Sequence, residues 1–512
     1  MILALLLLPA LAGTAAFFVK GDRTRRALLV GVALAHLALV GAAWIVRPAP
    51  LVAGWVGLDA AGLVVLTLAS ALFCAAALYA VGYLAREGVG PRAEFEEGFL
   101  FTNAPEAVFT GGLLWLLATL SLVAASRHLG ILWVAIEATT LSSAPLLYFH
   151  RHARSLEATW KYLLLCSVGI GIALLGNFSL ALAAQAAQAA PGLADGGASP
   201  LALDAWLAHP GALDPTWTRV AFLCLLVGFG TKMGLAPMHA WLPDAHSEAP
   251  SLVSALLSGA LLNGAFLGIL RALQVLGATG PDAAAGAAHL AFASPLLIGF
   301  GLASLAFAAV FILGQGNYKR MLAWSSVEHM GLLAVAIGVG GGGLDAALLH
   351  AVNHSLTKGM LFLLAGNILH AYRSRATRDV TGLLRTLPAT GTLWGIGLLA
   401  ITGTPPFGPF VSEFAILRAC FAQGHAVVGA ATLALLAVVF LGTARVLLRM
   451  TQGPAPAERA GAAPAESGWP TESWWSVAPP ALLATFVLGL GVYVPPFVQH
   501  ALREAAALLG GR

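Results

Sequence analysis

LVGFGTKMGLAPMHAWLPDAHSEAP, residues Leu226 to Pro250, is the stretch from which the rest of the chain is read. Its first part closes an apolar run, Val220 to Ala236, that holds one lysine, Lys232. Gly228 and Gly230 precede that lysine; Gly234 and Pro237 follow it. A lysine in hydrocarbon costs about 2.5–3.5 kcal/mol on insertion scales, so its retention needs a reason. Glycine and proline interrupt the helical hydrogen-bond ladder, and in a membrane such breaks persist only inside protein or beside a water-filled cavity. Broken helices of this kind mark ion sites in transporters. The plainer alternative is a lysine snorkelling from a helix end to the surface, and the other polar residues decide between the two.

Composition sets the class. The chain has 512 residues, 59% hydrophobic and 10% charged, where a soluble domain carries about 25% charged residues. It reads as an all-α polytopic membrane protein. Cys74, Cys166, Cys224 and Cys420 stand singly in apolar runs, so no iron–sulfur or zinc motif is signalled. The N-terminal MILALLLLPALAGTAAFFVK has its charges after the apolar run, at Lys20, Arg23, Arg25 and Arg26. That order suits a first spanning helix rather than a signal peptide.

At about twenty apolar residues per span, fourteen helices are expected. They begin near Ile2, Ala27, Ala60, Val108, Leu129, Trp160, Thr218, Ser251, Ala288, Met321, Leu344, Pro388, His425 and Val477. Eighteen lysines and arginines fall in connections after odd-numbered helices and five after even-numbered ones. By the positive-inside rule both termini then lie on the non-cytoplasmic side of a cell (inner) membrane. PDAHSEAP, after the seventh helix, is acidic where a basic loop is expected, which suggests packing within protein. Residues 186–217 form a plausible outer lid or a simple connector. Residues 451–475 read as a flexible linker ending in an aromatic belt of Trp469, Trp474 and Trp475.

The function classes follow from polar residues inside spans. The fifth helix has a single acid, Glu137, about 12 Å from Leu129 at ~1.5 Å per residue, and Glu137 and Lys232 are natural counter-ions; the alternative is a pair that only fixes helix packing. In the eleventh helix, LLHAVNHSLTKGMLFLLAGNILH places His350, His354 and Lys358 at i, i+4 and i+8. At about 100° per residue these span about 80°, one polar stripe. HAVNH has Ala351 where a zincin has its glutamate, and nothing singles out a haem partner, so neither metal nor cofactor is expected. Histidines and a desolvated lysine suit proton relay. The twelfth helix carries GTPPFGPFVSEF, a break followed by a lone carboxylate, Glu413. Helices seven and twelve, both broken, are five apart and run in opposite directions, as an inverted repeat of helices four to eight against nine to thirteen demands. Domain bounds follow: 1–100 for three N-terminal helices, 101–275 and 276–450 for the repeats, 451–475 for the linker and 476–512 for the last helix. Lys319 enters the tenth helix ahead of Ser325, Ser326, Glu328 and His329, residues placed to bond a helix end or line a path.

With KMGLAPMHAWLPDAH, KRMLAWSSVEHMG and GTPPFGPFVSEF in hand, the chain resembles, over about residues 100–450, the antiporter-like subunits of respiratory complex I. Group 4 membrane-bound hydrogenases and multisubunit sodium/proton antiporters share this family. SVEHMG and HSLTKGMLF look closest to the F-like branch of the hydrogenase-4 membrane components. The resemblance implies that Glu137 and Lys232 form a first proton-carrying pair, that His350, His354 and Lys358 bridge the halves, and that Glu413 ends the path. The eighth helix departs from the family: Ser258 and Asn263 stand where many members carry a histidine or lysine, so that link is expected to be water. The implied function is a proton-translocating subunit of a hydrogenase-4-like or complex I-like oxidoreductase. Its partners would be other membrane subunits and a peripheral redox arm, since this chain shows no redox motif. The alternatives are a gradient-driven antiporter subunit, the membrane half of an inorganic-carbon uptake pair, and a structural scaffold.

Overall fold

Long apolar runs in this chain fold as helices because, without water, backbone groups must be satisfied within the segment. The computed structural model describes residues 1–87, 90–93, 98, 100–186, 199, 201–204, 213–278, 283–454 and 472–509. Its helices are α1 (Ile2–Ala15), α2 (Asp22–Val46), α3 (Ala60–Arg86), α4 (Glu106–Ala125), α5 (Leu129–Leu147) and α6 (Ala153–Ala186). Then come α7 (Pro215–Glu248), interrupted after Met233, α8 (Ser251–Gly277), α9 (Ala283–Leu313), α10 (Tyr318–Val339) and α11 (Gly343–Tyr372). The last are α12, in two pieces (Pro388–Ile401 and Gly408–Ala422), α13 (Ala426–Thr451), α14 (Trp474–Val492) and α15 (Pro496–Leu508). Among the described residues, eleven helices are long and apolar enough to cross a membrane. The other three of the fourteen expected spans are α1, which is short, α12, which is split, and α11, which carries the polar stripe.

α8 and α10 are buried along their apolar length and α3 nearly so, whereas α2 and α13 present most of theirs outward. Side chains such as Val168, Leu175, Val427 and Leu441 stand exposed, as a lipid-facing surface requires. Trp474 and Trp475 are also exposed, at the start of α14. Residues 455–471 of the expected linker, with Trp469, and residues 187–198, 200 and 205–212 of the expected lid lie outside the described residues.

Three features differ from the sequence reading. PDAHSEAP is largely helix rather than loop, the second piece of α7 (Trp241–Glu248), and it is packed in protein as its acidity suggested. Asp244 pairs with Lys161 at 3.0 Å and Arg320 at 2.7 Å, and Glu248 with Arg375 at 3.2 Å. Its acids are thus neutralised by basic residues of α6 and α10 and of the connection after α11. A small antiparallel sheet, β1 (Arg92–Ala93), β2 (Leu100–Asn103) and β3 (His150–Arg151), lies on the same face. On the opposite face the amphipathic α15 is held by Arg47 to Glu504 at 2.7 Å and by Gln274 donating to the Leu508 carbonyl at 3.0 Å.

Near α15 lies a buried ion pair. Asp59 caps α3 by accepting from the Gly62 amide at 2.9 Å and takes both guanidinium nitrogens of the fully buried Arg271 at 2.7 Å. Burial alone would raise the Asp59 carboxyl; the Arg271 charge and hydrogen bonds outweigh it and hold the group below its usual value. Removing one partner of a buried pair costs about 3–5 kcal/mol, because the other charge is stranded. Asp59→Asn should therefore lower the unfolding midpoint in detergent markedly, and a shift indistinguishable from zero would mean that Arg271 finds another counter-charge.

Candidate functional site

The site is built on the break in α7. Gly234, at φ +85°, ends the first piece in the left-handed conformation, where an added Cβ would run into Leu242. The backbone groups freed there are met by protein. Leu235 N–H donates to the Gly230 carbonyl at 2.8 Å, Trp241 Nε1–H to the Thr231 carbonyl at 2.8 Å, and Ala236 N–H to Ser304 Oγ at 2.9 Å. Lys232, in the last turn before the break, is fully buried.

Lys232 and Glu137 make no direct ion pair, which corrects the expectation of adjacent counter-ions. Lys232 Nζ donates to Thr140 Oγ1 at 2.8 Å and to Tyr162 Oη at 2.7 Å, and sits 4.5 Å from the centre of the Tyr162 ring. Thr140 Oγ1 donates onward to Glu137 Oε2 at 3.2 Å, and Ser167 Oγ donates to Glu137 Oε1 at 2.6 Å. Thr140 lies one turn along α5 from Glu137, so it comes between the two charges. Glu137 itself is only half-buried.

The middle of the molecule holds Lys358, Ser258 and Asn263. Ser258 sits in a π-helical turn of α8 (Leu257–Leu261) and bonds Ser326 Oγ at 2.8 Å. Asn263 Nδ2 donates to Ser355 Oγ at 2.6 Å, and Lys358 Nζ to the Leu322 carbonyl at 2.6 Å. Beside them is a residue the sequence reading passed over. His246, on the second piece of α7, is fully buried, stacks on Phe362 at 5.0 Å and lies within electrostatic reach of Lys358 and Lys319. Neither of its ring nitrogens has a hydrogen-bond partner among the described residues. It was missed because its segment read as a loop.

At the far end α10, α11 and α12 bring together His329, His350, His354 and Glu413. His329 Nδ1 and His350 Nε2 are 2.9 Å apart, His350 Nδ1 meets Ser412 Oγ at 3.0 Å, and the His329 and His354 rings lie 5.0 Å apart. Glu413 is buried against the break in α12. Gly403 there has φ +64°, and an added Cβ would overlap the Glu413 carboxylate. Glu328 is buried in α10 with Oε2 unpartnered among the described residues. Lys319 plays another part: Nζ donates to the Ala249 and Ser247 carbonyls at 2.6 and 3.1 Å, capping the end of α7, where a cation also suits the helix dipole. A cavity of about 620 Å³ on the face with the basic connections reaches Lys319, lined also by Tyr79, His150, His152 and Glu248.

Residues 126–440 match the family described as NADH:quinone oxidoreductase/Mrp antiporter, TM. The chain is 38% identical over 400 residues to the hydrogenase-4 component F homolog of Methylacidiphilum infernorum (isolate V4), covering 77% of this chain and 78% of that one. It is 37% identical over 210 residues to NAD(P)H-quinone oxidoreductase chain 4 2 of Thermosynechococcus vestitus, covering 41% and 37%. Its fold is similar to a chain of the archaeal membrane-bound sulfane sulfur reductase, with a TM-score of 0.82 at 21% identity over 100% of this chain and 98% of that one. It is also similar to a chain of the Mrp complex from Dietzia sp. DQ12-45-1b, with a TM-score of 0.79 at 19% identity over 99% and 97%.

Proposed function

The chain belongs to the NADH:quinone oxidoreductase/Mrp antiporter family of membrane subunits, and we propose that it carries protons along the buried axis from Glu137 to Glu413. It does so as one membrane subunit of a multisubunit hydrogenase-4-like or complex I-like oxidoreductase, whose peripheral arm supplies the driving energy. The observation that carries this reading is the relay at the α7 break. The fully buried Lys232 Nζ is joined through one hydroxyl, Thr140, to the Glu137 carboxylate.

That arrangement has a chemical consequence. While Glu137 carries its charge, the field favours the proton on Lys232. When Glu137 is neutralised, burial favours release. The released proton passes inward by way of Ser258, Ser326 and His246 to Lys358, then through His354, His329 and His350 to Glu413. Buried polar atoms without a protein partner are where ordered water is expected, and those of His246, His354, Glu328 and Glu413 mark the positions along this axis. The repeats at 101–275 and 276–450 supply the two halves of the path, flanked by 1–100 and 476–512. The basic connections face the cytoplasm, so the termini lie outside and the cavity beside Lys319 is the cytoplasmic mouth.

A sodium antiporter subunit is the second reading, favoured by the fold shared with the Mrp chain. The lining speaks for protons: hard cations take oxygen ligands, and this axis presents two lysines and several imidazoles. The test is proton uptake by vesicles holding the assembled complex, with sodium present or replaced by choline. Uptake should be unchanged; a strict sodium requirement would favour the antiporter. In the same assay Thr140→Val removes the connecting hydroxyl. Hydrogen bonds to charged groups contribute about 1.5–3 kcal/mol, so uptake should slow roughly 10–100-fold.

A further inference from the structure

We propose that His329, His350 and Glu413 form a binding site for a divalent transition-metal ion of the zinc type, and that its occupation closes the proton path. The closure rests on the proton-path reading; the binding site does not.

One ligand atom from each of the three side chains lies within 4.8 Å of the others, and all three residues are buried. They come from three helices, α10, α11 and α12, which is why the HAVNH spacing within α11 alone gave no metal signature. Zinc binds imidazole nitrogen at about 2.0–2.1 Å and carboxylate oxygen at about 2.0–2.2 Å. Tetrahedral ligands are then about 3.3 Å from one another, close to the 2.9 Å that already separates His329 Nδ1 and His350 Nε2. The ligand set chooses the ion: imidazole suits zinc, copper and nickel, whereas sodium, magnesium and calcium prefer oxygen alone.

The surroundings are those of a prepared ligand. Ser412 Oγ donates to the Pro409 carbonyl at 3.0 Å, so His350 donates to Ser412 from Nδ1 and keeps a lone pair on Nε2. An outer hydrogen bond of this kind fixes the tautomer and orientation of metal-binding histidines. His329 Nε2 and Glu413 Oε1 have no hydrogen-bond partner among the described residues, nor has either nitrogen of His354, whose ring lies 5.0 Å from that of His329. Water is the fourth ligand, since His354 lies outside the set of ligand atoms within 4.8 Å of one another. A bound ion replaces the proton shared by the two imidazoles and occupies the lone pairs through which a proton would pass.

The test uses the full-length chain in detergent, stripped with chelator and titrated with Zn²⁺. Zinc-edge X-ray absorption gives the ligand shell, and proton uptake is followed in vesicles holding the assembled complex. We expect one tight zinc per chain with an imidazole-containing shell. His350→Ala should weaken it at least ~10-fold, and Ser412→Ala, which keeps all three ligands, should weaken it ~10-fold. Zinc should inhibit uptake over the same concentration range. Absence of imidazole-bound zinc in the wild type, or affinity unchanged in both variants, overturns the site and leaves the path reading standing. Tight imidazole-bound zinc with unimpeded uptake overturns the closure, and counts against the path rather than the site.

Discussion

Lys232→Ala should reduce proton uptake by the assembled complex to background, a loss of at least ~100-fold, while the complex still assembles. The two halves of that expectation have different physical origins. Transport fails because Lys232 is the titratable group that Thr140 joins to Glu137 at the break, and alanine holds no proton. Assembly survives because a lysine in hydrocarbon costs about 2.5–3.5 kcal/mol to begin with, and Lys232 makes no direct ion pair that its removal would break. The residual penalty is the loss of a donor to Thr140 and Tyr162, both hydroxyls with other bonds: Thr140 to Glu137, and Tyr162 with Ser143 at 2.7 Å. Glu137 is not stranded, being half-buried and still accepting from Ser167. Lys232→Arg separates charge from proton exchange. Guanidinium keeps the positive charge but does not deprotonate in proteins, so uptake should fail there too. Undiminished uptake in both variants, with assembly checked on native gels, would reduce Lys232 to a packing residue.

Much of this was legible in the sequence because a membrane leaves few choices. The helix starts were readable since hydropathy alone decides them: α6 begins a few residues before its expected Trp160 and α5 at Leu129 as expected. The breaks were readable because Gly234 and Pro237, or Gly403, Pro405 and Pro406, leave little else for the backbone to do. Lys232, Glu137, His350, His354, Lys358 and Glu413 stood out because ionisable residues in apolar runs are rare. What was hidden depends on contacts between distant segments. The second piece of α7 reads as a polar loop until Lys161, Arg320 and Arg375 are seen to neutralise its acids, and His246 went unread with it. Asp59 meets Arg271 across most of the first repeat. Thr140 looks like any hydroxyl in a helix until the direction of the Lys232 side chain is known. Periodicity places residues on faces; it does not say which two faces meet.

Gly403→Ala should be nearly as damaging to transport as removing Glu413, although it changes no charge. Gly403 holds the left-handed conformation at φ +64°, and the space its missing Cβ leaves is filled by the Glu413 carboxylate. Alanine adds about 1–2 kcal/mol of backbone strain at such a position. It also pushes Glu413 out of the break and away from the His329–His350 pair that would deliver its proton. Strain alone would lower the unfolding midpoint and leave uptake largely intact; displacement would stop uptake. The two are separable with Glu413→Ala. In that background the overlap no longer exists, so Gly403→Ala should cost only the strain. The double variant should then be less damaged than the sum of the singles, with a coupling of about 0.5–3 kcal/mol, as expected for residues in contact. Additive effects would show that the carboxylate does not need the seat left by Gly403. Normal uptake by Gly403→Ala would mean that the position of Glu413 within the α12 break does not matter to the path.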